Sequence, residues 1–242
     1  MSEMGNRSVS RALGILERLA AARQPMTLKE ISDQLELPKS SALVLLRALK
    51  EHDFVECDEA GRYSVGLRAF ETGSAYARGM STVRAASDQL RWLTQSLGVS
   101  AHFAVLDGDE VVYVAKEDPD ELTVRLASFV GARLPAAQTA VGTAQLAHMP
   151  MREHLVSADS SLAQRMADVL ASGYAVDEGA ILTGVRCVAA AVMDQRGCCG
   201  AIGVSFLQQA DLPLDEVARS VVEAAATASA RLGGRAANVG VA

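Results

Sequence analysis

The chain has 242 residues, of which 50% are hydrophobic and 21% charged, and a net charge of −6, values that suit one or two globular domains with a buried core. No apolar run approaches the roughly 18 residues that a membrane span needs, and the N-terminal stretch MSEMGNRSVSR lacks the apolar core of a signal peptide. We therefore expect a cytoplasmic protein with no membrane segment. The spacing of the four cysteines matches no zinc site and the histidines form no HExxH motif, so we expect neither a metal nor a cofactor.

Three helices are predicted at the front of the chain. Ser8 or Ser10 can cap the first of them, and Gln24-Pro25 ends it. Thr27 and Glu30, three residues apart, have the spacing of a capping box, which starts a second helix at the residue after Thr27.

The second helix is followed by a tight turn and a third helix. Pro38 ends the second helix and is tolerated in the first turn of the third, which Ser40 or Ser41 can cap. The third helix carries a stripe of leucines, Leu43, Leu46 and Leu49. This arrangement predicts a helix-turn-helix, whose second helix can enter the major groove of DNA.

The polar face of the third helix carries Lys39, Arg47 and Lys50 and no acidic residue. The net charge is also uneven: residues 1–80 hold 11 basic and 11 acidic side chains, whereas residues 81–242 hold 12 and 18. A neutral front part with its cations on one helix face can bind phosphates locally, while the acidic remainder would avoid DNA. The alternatives are an ordinary amphipathic helix pair, or a winged helix used only for protein contacts.

A β-hairpin is predicted directly after these helices. Residues 54–57 and 62–65 are two short β-prone runs around the turn sequence Asp58-Glu59-Ala60-Gly61. Three helices followed by a hairpin make a winged helix. Arg62 lies near the hairpin tip, where it can contact a phosphate or the minor groove, or can be a solvated surface charge.

Two further helices are predicted over residues 67–80 and 82–97, with a break near Gly79. They carry more apolar positions than an isolated helix needs, so we expect them to link two domains and to pair between subunits. A two-fold dimer would read two half-sites on DNA.

From residue 98 onward the pattern changes to strands mixed with helices. The predicted strands are VSAHFAVL, EVVYVAK, LTVRLAS and the hairpin formed by residues 187–193 and 200–206; the predicted helices are TAVGTAQLAHM, SLAQRMADVLASG and residues 214–232. Helices on an antiparallel sheet predict an α+β domain.

Four segments together resemble the IclR family of bacterial transcriptional regulators: RSVSRALGILERLA, TLKEISDQLELPKSSALVLLRALKEHDFV, GRYSVGLRAFETGSAY and GYAVDEGAILTGVRCVAAAVMDQRG. The resemblance runs from about residue 7 to 232. It implies a winged helix-turn-helix DNA-binding domain (residues 1–66), a linker helix (67–80) and a GAF-like effector-binding domain (81–242). It also implies homodimers or dimers of dimers acting on a double-stranded DNA operator.

The resemblance assigns DNA contacts to two places in the first domain, the N-terminal segment and the recognition helix: Arg7, Ser8, Arg11, Lys39, Ser40, Ser41, Leu43, Val44 and Arg47. We also expect DNA contacts from Thr27, at the start of the second helix, and from the hairpin residue Arg62. Relatives usually have Arg where this chain has Val44, and often have Gly where it has Glu36. Val44 and Leu43 can still contact thymine methyl groups.

In the second domain the resemblance assigns an effector pocket to Thr123, Leu126, Ala140, Val141, Asp177, Val185, Cys187, Gly203 and Ser205. We add Gly142, because glycine allows a close approach of the backbone to a ligand. A few polar groups among apolar ones suit a small ligand, and the amides at the start of the helix after Thr139 suit a carboxylate. We expect a small organic acid, aromatic or hydroxylated. Gly203 stands where some relatives have Ser, which predicts a more apolar or larger pocket.

Two alternatives stay open for the pocket residues. Asp177 can equally be an exposed turn acid, and Cys187 an ordinary core residue. The competing function is an enzyme that uses Cys187 as a nucleophile on a small organic acid, although no histidine lies near it in the sequence.

Overall fold

The structure, a computed structural model, describes residues 2–22, 24–120, 128–150 and 153–234. It divides into two units, residues 1–79 and 80–242. Each unit has its own hydrophobic core. None of the described helices is long and apolar enough to cross a membrane.

The first unit is a winged helix-turn-helix followed by one more helix. Its elements are α1 (Ser2–Ala21), β1 (Met26–Thr27), α2 (Leu28–Gln34), α3 (Lys39–Glu51), β2 (Val55–Cys57), β3 (Arg62–Val65) and α4 (Leu67–Gly79). The strands form an antiparallel sheet in the order β1-β3-β2. Ile15, Ile31 and Leu46, one from each of the first three helices, are fully buried at the centre of its core.

Local sequence chemistry sets the start of α2 as predicted. The Thr27 side chain accepts a hydrogen bond from the backbone N–H of Glu30, and the Thr27 backbone N–H donates to Glu30 Oε2 at 2.7 Å, which is a complete capping box.

Two predicted caps are wrong. Helix α1 begins at Ser2, so Ser8 and Ser10 lie inside it on exposed positions, where serine costs a helix little. Helix α3 begins at Lys39 after Pro38, whose ring presets the backbone, and no side chain caps it. Ser40 and Ser41 therefore lie in the first turn with no capping role.

The second unit is built on a six-stranded antiparallel sheet, in the order β6-β5-β4-β9-β8-β7. Its elements are α5 (Ser81–Leu97), β4 (Ser100–Asp107), β5 (Glu110–Glu117), β6 (Arg133–Pro135), α6 (Ala140–Leu146), α7 (Glu153–Ala158), α8 (Leu162–Ser172), β7 (Ala175–Asp177), β8 (Val185–Asp194), β9 (Gly197–Leu207) and α9 (Leu214–Arg231). Helix α7 and strands β6 and β7 were not predicted. The predicted strand LTVRLAS lies outside the described residues except for Ser128.

Helices cover both faces of this sheet. Alternate residues of β8 show why: Val188, Ala190 and Val192 pack toward α5 and α9, whereas Cys187 and Ala189 pack toward α6 and α8. The first of these two cores is closed by α9, and the second encloses the cavity described below. The architecture confirms the predicted α+β class, a winged helix-turn-helix with a sheet-based second domain.

Candidate DNA interface and effector cavity

The outward face of α3 presents the predicted recognition residues to solvent. Lys39, Ser40, Val44 and Arg47 are exposed, whereas Ser41 and Leu43 are half-buried. On the opposite face, Ala42 and Leu46 are buried and pack in the core with residues of α1 and α2. The face therefore combines cations, which can bind phosphates, with a valine that is 63% exposed and can meet only apolar groups on a base edge.

The other predicted DNA residues lie on α1 and the hairpin. Arg7 and Ser8 are exposed on α1, and Arg11 is half-buried. In the hairpin, Arg62 Nε lies 3.1 Å from Asp58 Oδ2, and the Arg62 backbone N–H also donates to Asp58. These bonds, the backbone one first, hold the pKa of the exposed Asp58 carboxyl below its usual value. Arg62 can exchange such an exposed ion pair for a phosphate at little cost.

The side chain of Thr27 caps the N-terminus of α2. Its hydroxyl donates to Glu30 Oε2 at 2.8 Å and accepts from the Glu30 N–H, so the capping box already uses this group. These bonds also lower the pKa of the Glu30 carboxyl, the backbone bond from Thr27 being the largest cause.

A cavity lies in the second unit between the sheet and the start of α6. Its walls come from β4, β5, β6, β7, β8 and β9, from the turn before α6 and from the loop before β8: His102, Tyr113, Ser128, Leu134, Thr139, Ala140, Val141, Asp177, Ile181, Leu182, Val185, Cys187 and Ser205. The cavity is partly open and narrow, with a free volume of about 30 Å³, far less than an organic acid occupies. Side chains must therefore move aside to admit an organic acid.

The cavity brings together many of the predicted effector residues, which come from segments distant in the sequence. Ala140, Val141, Asp177, Val185, Cys187 and Ser205 line it. Gly142 and Gly203 are not among the lining residues, and Thr123 and Leu126 lie outside the described part of the chain.

Gly142 is required by packing within the protein. A Cβ atom at this position would lie 2.1 Å from the carbonyl oxygen of Ala136, so only glycine lets α6 approach the preceding turn. Its backbone N–H donates to Thr139 Oγ1 at 3.0 Å. One amide at the helix start is thus already bonded, which reduces what α6 can offer a carboxylate.

Gly203 likewise makes room for a neighbouring side chain. A Cβ atom there would lie 2.9 Å from His102 Nε2 and from Val141 Cγ1. The space that glycine leaves is filled by the imidazole of His102, because His102 on β4 pairs with Gly203 on β9. The expectation of a larger pocket at this position is therefore wrong.

His102 and Tyr113 also line the cavity, although no sequence pattern predicted this. Their rings meet edge to face with centroids 5.1 Å apart and an interplanar angle of 67°. Both are nearly inaccessible to solvent. The one sequence signal for His102 was a histidine placed within a strand that is otherwise almost entirely apolar.

The titratable groups of the cavity are held in their neutral forms, apart from Asp177. Burial raises the pKa of the Cys187 thiol to about 11 and lowers the pKa of the His102 imidazole to about 3. Burial also raises the pKa of Asp177, although this carboxylate accepts a hydrogen bond from the Ala180 N–H at 2.9 Å. Cys187 Sγ lies 3.2 Å from Ser205 Oγ.

These charge states bear on the enzyme alternative. The structure does bring a histidine and Cys187 to the same cavity, which the sequence did not reveal. An activated cysteine needs a lowered thiol pKa and a basic partner. Here the thiol pKa of Cys187 is raised and the imidazole pKa of His102 is lowered, the reverse of what activation requires. Cys187 is therefore a neutral thiol at neutral pH.

Two family models match the chain. The model described as "IclR helix-turn-helix domain" matches residues 8–59, and the one described as "Bacterial transcriptional regulator IclR C-terminal" matches residues 74–231. The chain belongs to the IclR family of bacterial transcriptional regulators. As an IclR-family protein it is a DNA-binding transcriptional regulator with a C-terminal effector domain.

Curated IclR-family relatives align along most of the chain. The HTH-type transcriptional repressor AllR of Klebsiella pneumoniae is 28% identical over 247 residues, which cover 91% of this chain and 90% of that protein. The HTH-type transcriptional regulator BhcR of Paracoccus denitrificans is 30% identical over 241 residues, covering 91% and 85%. Both relatives are named as transcriptional regulators.

Solved IclR structures show the same fold. An IclR transcriptional regulator from Alicyclobacillus acidocaldarius superposes with a TM-score of 0.83 at 24% identity, covering 94% of this chain and 99% of that chain. An IclR homologue from Microbacterium hydrocarbonoxydans gives a TM-score of 0.82 at 21% identity, covering 93% and 98%.

Proposed function

We propose that this regulator controls catabolic genes in response to a small organic acid, aromatic or hydroxylated, that binds in the cavity of the second unit. The observation that carries the proposal is the cavity itself, which places the hydroxyl of Ser205, the thiol of Cys187 and the carboxylate of Asp177 among apolar residues. Few polar groups set in apolar walls are typical of small-ligand sites.

The relatives support an acid as the effector. The Microbacterium hydrocarbonoxydans homologue was solved in complex with 4-hydroxybenzoate, and it shares the fold of this chain. The relative from Klebsiella pneumoniae is named as a repressor. From these two relatives we infer that this chain is a repressor, and that binding of an acid releases it from its operator.

On DNA, α3 would lie in the major groove. Lys39, Ser40, Ser41 and Arg47 would contact phosphates or base edges, and Leu43 and Val44 would contact thymine methyl groups. Arg62 of the hairpin and Arg7, Ser8 and Arg11 of α1 would contact the flanking backbone. The many cations on this surface give binding that weakens steeply with salt.

We further propose that the protein acts as a homodimer or a dimer of dimers. Helix α4 leaves Leu67, Phe70 and Tyr76 exposed, Phe70 by 72%, which is unusual for a helix that has no partner. Pairing through such a helix would set the spacing of two recognition helices. An effector that binds one arrangement better than another then changes operator affinity by the same coupling.

Two variants test the division of labour. Arg47→Ala should weaken operator binding and reduce the slope of log K against log salt by about 1, and acid binding should be unchanged. Ser205→Ala should weaken acid binding by roughly 2- to 10-fold, the worth of one hydrogen bond, and leave DNA binding without acid unchanged.

The measurements are fluorescence anisotropy on operator DNA, found by footprinting upstream of neighbouring genes, and calorimetric titration with acids. Arg219→Ala, an exposed arginine of α9, is the matched control and should change neither activity. If Arg47→Ala and Ser205→Ala alter the same activity, the proposed division is wrong. Absence of acid binding at millimolar concentrations would remove the effector part of the proposal.

A further inference from the structure

Two buried polar atoms of the cavity wall lack a hydrogen-bond partner within the part of the chain that the structure describes. His102 Nδ1 and Ser128 Oγ each have no hydrogen-bond partner among the described residues, and both residues line the cavity. His102 is only 2% exposed. A buried polar atom left unpaired is costly, and most such atoms in native proteins are paired with protein or water. The described part of the cavity wall therefore has hydrogen-bonding capacity that a ligand can use.

Packing holds the imidazole of His102 in place. The ring lies over the α-carbon of Gly203, where no Cβ fits, and meets the edge of Tyr113 at a centroid distance of 5.1 Å. His102 is thus a rigid group whose polar atoms are not needed to position it. Such a preorganised group favours binding, because the His102 side chain itself need not be ordered when the ligand arrives.

The imidazole is neutral, and so are Tyr113 and Cys187, which line the same cavity. Burial, aided by the nearby Lys116, lowers the His102 pKa, while burial raises the pKa of Tyr113 and of Cys187. Asp177 is the acidic group in the wall, and Lys116 forms its ion pair with Asp118, 2.8 Å away. A neutral imidazole offers one donor and one acceptor, which suit a hydroxyl better than a carboxylate.

We propose that His102 recognises a hydroxyl group of the effector, with Ser128 as a second partner, so that the protein selects a hydroxylated acid over the same acid without the hydroxyl. The inference rests on the proposed function, since it assigns a ligand feature to the same cavity. A site built to bond a hydroxyl penalises the analogue that lacks it, because the buried groups then stay unpaired.

Calorimetric titration of the full-length protein with two matched pairs tests this: 4-hydroxybenzoate against benzoate, and lactate against propionate. Wild type should bind the hydroxylated member of at least one pair about tenfold or more tightly, which corresponds to about 1.4 kcal/mol. His102→Leu should abolish this preference while keeping affinity for the deoxy acid. His102→Asn or His102→Gln, which keep an amide near one ring nitrogen, should restore part of it.

Val185→Ala is the control, because an apolar wall residue should change affinity for both members of a pair equally. A second readout does not depend on the Leu variant folding: the imidazole ¹⁵N shifts of His102 should change with the hydroxylated acid and not with its deoxy partner. If wild type binds the acids without preference, or if His102→Leu keeps the preference, this inference fails and the acid pocket stands. If wild type binds none of the four acids, both proposals fail.

Discussion

Glu36 occupies a backbone conformation that favours glycine, and replacing it should stabilise the first unit. Its φ is +52°, directly after α2, and the Leu37 N–H donates to the Ser32 carbonyl at 2.9 Å across it. This is the longer of the two bonds of a Schellman cap, in which glycine is the usual residue at the position of Glu36. Asp53, with φ +60° after α3, stands in the equivalent place. Both helices of the helix-turn-helix therefore end on a residue with a Cβ in the left-handed region.

The size of the effect follows from two opposing terms. A Cβ in the left-handed region costs about 1–2 kcal/mol, whereas glycine loses about 0.5–1 kcal/mol more conformational entropy on folding. Glu36→Gly should therefore raise the free energy of unfolding by about 0.5–1 kcal/mol. For a unit of about 80 residues this raises the melting temperature by roughly 2–8 °C.

Thermal unfolding of the full chain, followed by far-UV circular dichroism, measures the shift. Fluorescence of Trp92, the single tryptophan, reports the second unit and should move less. Glu36→Ala removes the same carboxylate but keeps a Cβ, so it should give no gain, and Asp53→Gly should give a similar one. The reasoning would be refuted by equal stabilities of the Gly and Ala variants, because the carboxylate and not the backbone would then be the cause.

Three further predictions concern Cys187, His102 and two helical glycines, one from each unit. Because burial raises the Cys187 pKa to about 11, only roughly 0.1% of the thiol is ionised at pH 8, and iodoacetamide followed by mass spectrometry should show it alkylated far more slowly than a free cysteine. Because folding lowers the His102 pKa from 6.5 to about 3, the unfolded chain binds a proton below pH 6.5 that the folded chain does not. The free energy of unfolding should therefore be unaffected by this group above pH 6.5 and should fall by about 1.4 kcal/mol per pH unit below roughly pH 5.5. In urea titrations at several pH values, His102→Gln should remove this slope. Gly142→Ala should lower the free energy of unfolding by about 1–3 kcal/mol through its clash with Ala136. Gly73→Ala in α4, whose added Cβ meets nothing within 4 Å, should raise it by about 0.5–1 kcal/mol. Urea unfolding curves that show Gly142→Ala at least as stable as wild type would contradict the packing explanation.

The helix-turn-helix was predictable because its signals are local. The capping box at Thr27, the proline at position 38 and the turn sequence of residues 58–61 each act within a few residues, and the structure places α2, α3 and the hairpin accordingly. Gly173, the last residue of the predicted helix SLAQRMADVLASG, caps α8 in the left-handed conformation. The two misplaced helix starts, at α1 and α3, arose where several serines offered equivalent caps.

The cavity depended on information that no local pattern carries. Cys187 faces Ser205, and His102 lies over Gly203, only because β9 lies between β8 and β4 in the sheet. The family resemblance suggested Cys187 and Ser205, but the wall role of His102 and Tyr113 emerged from the strand order and the packing of α6. Hydrophobic periodicity determines which face of a strand is buried, whereas the pairing of distant strands depends on packing over the whole domain. The sequence by itself therefore determined most of the helices and strands. Only the tertiary structure decided which side chains meet in the cavity.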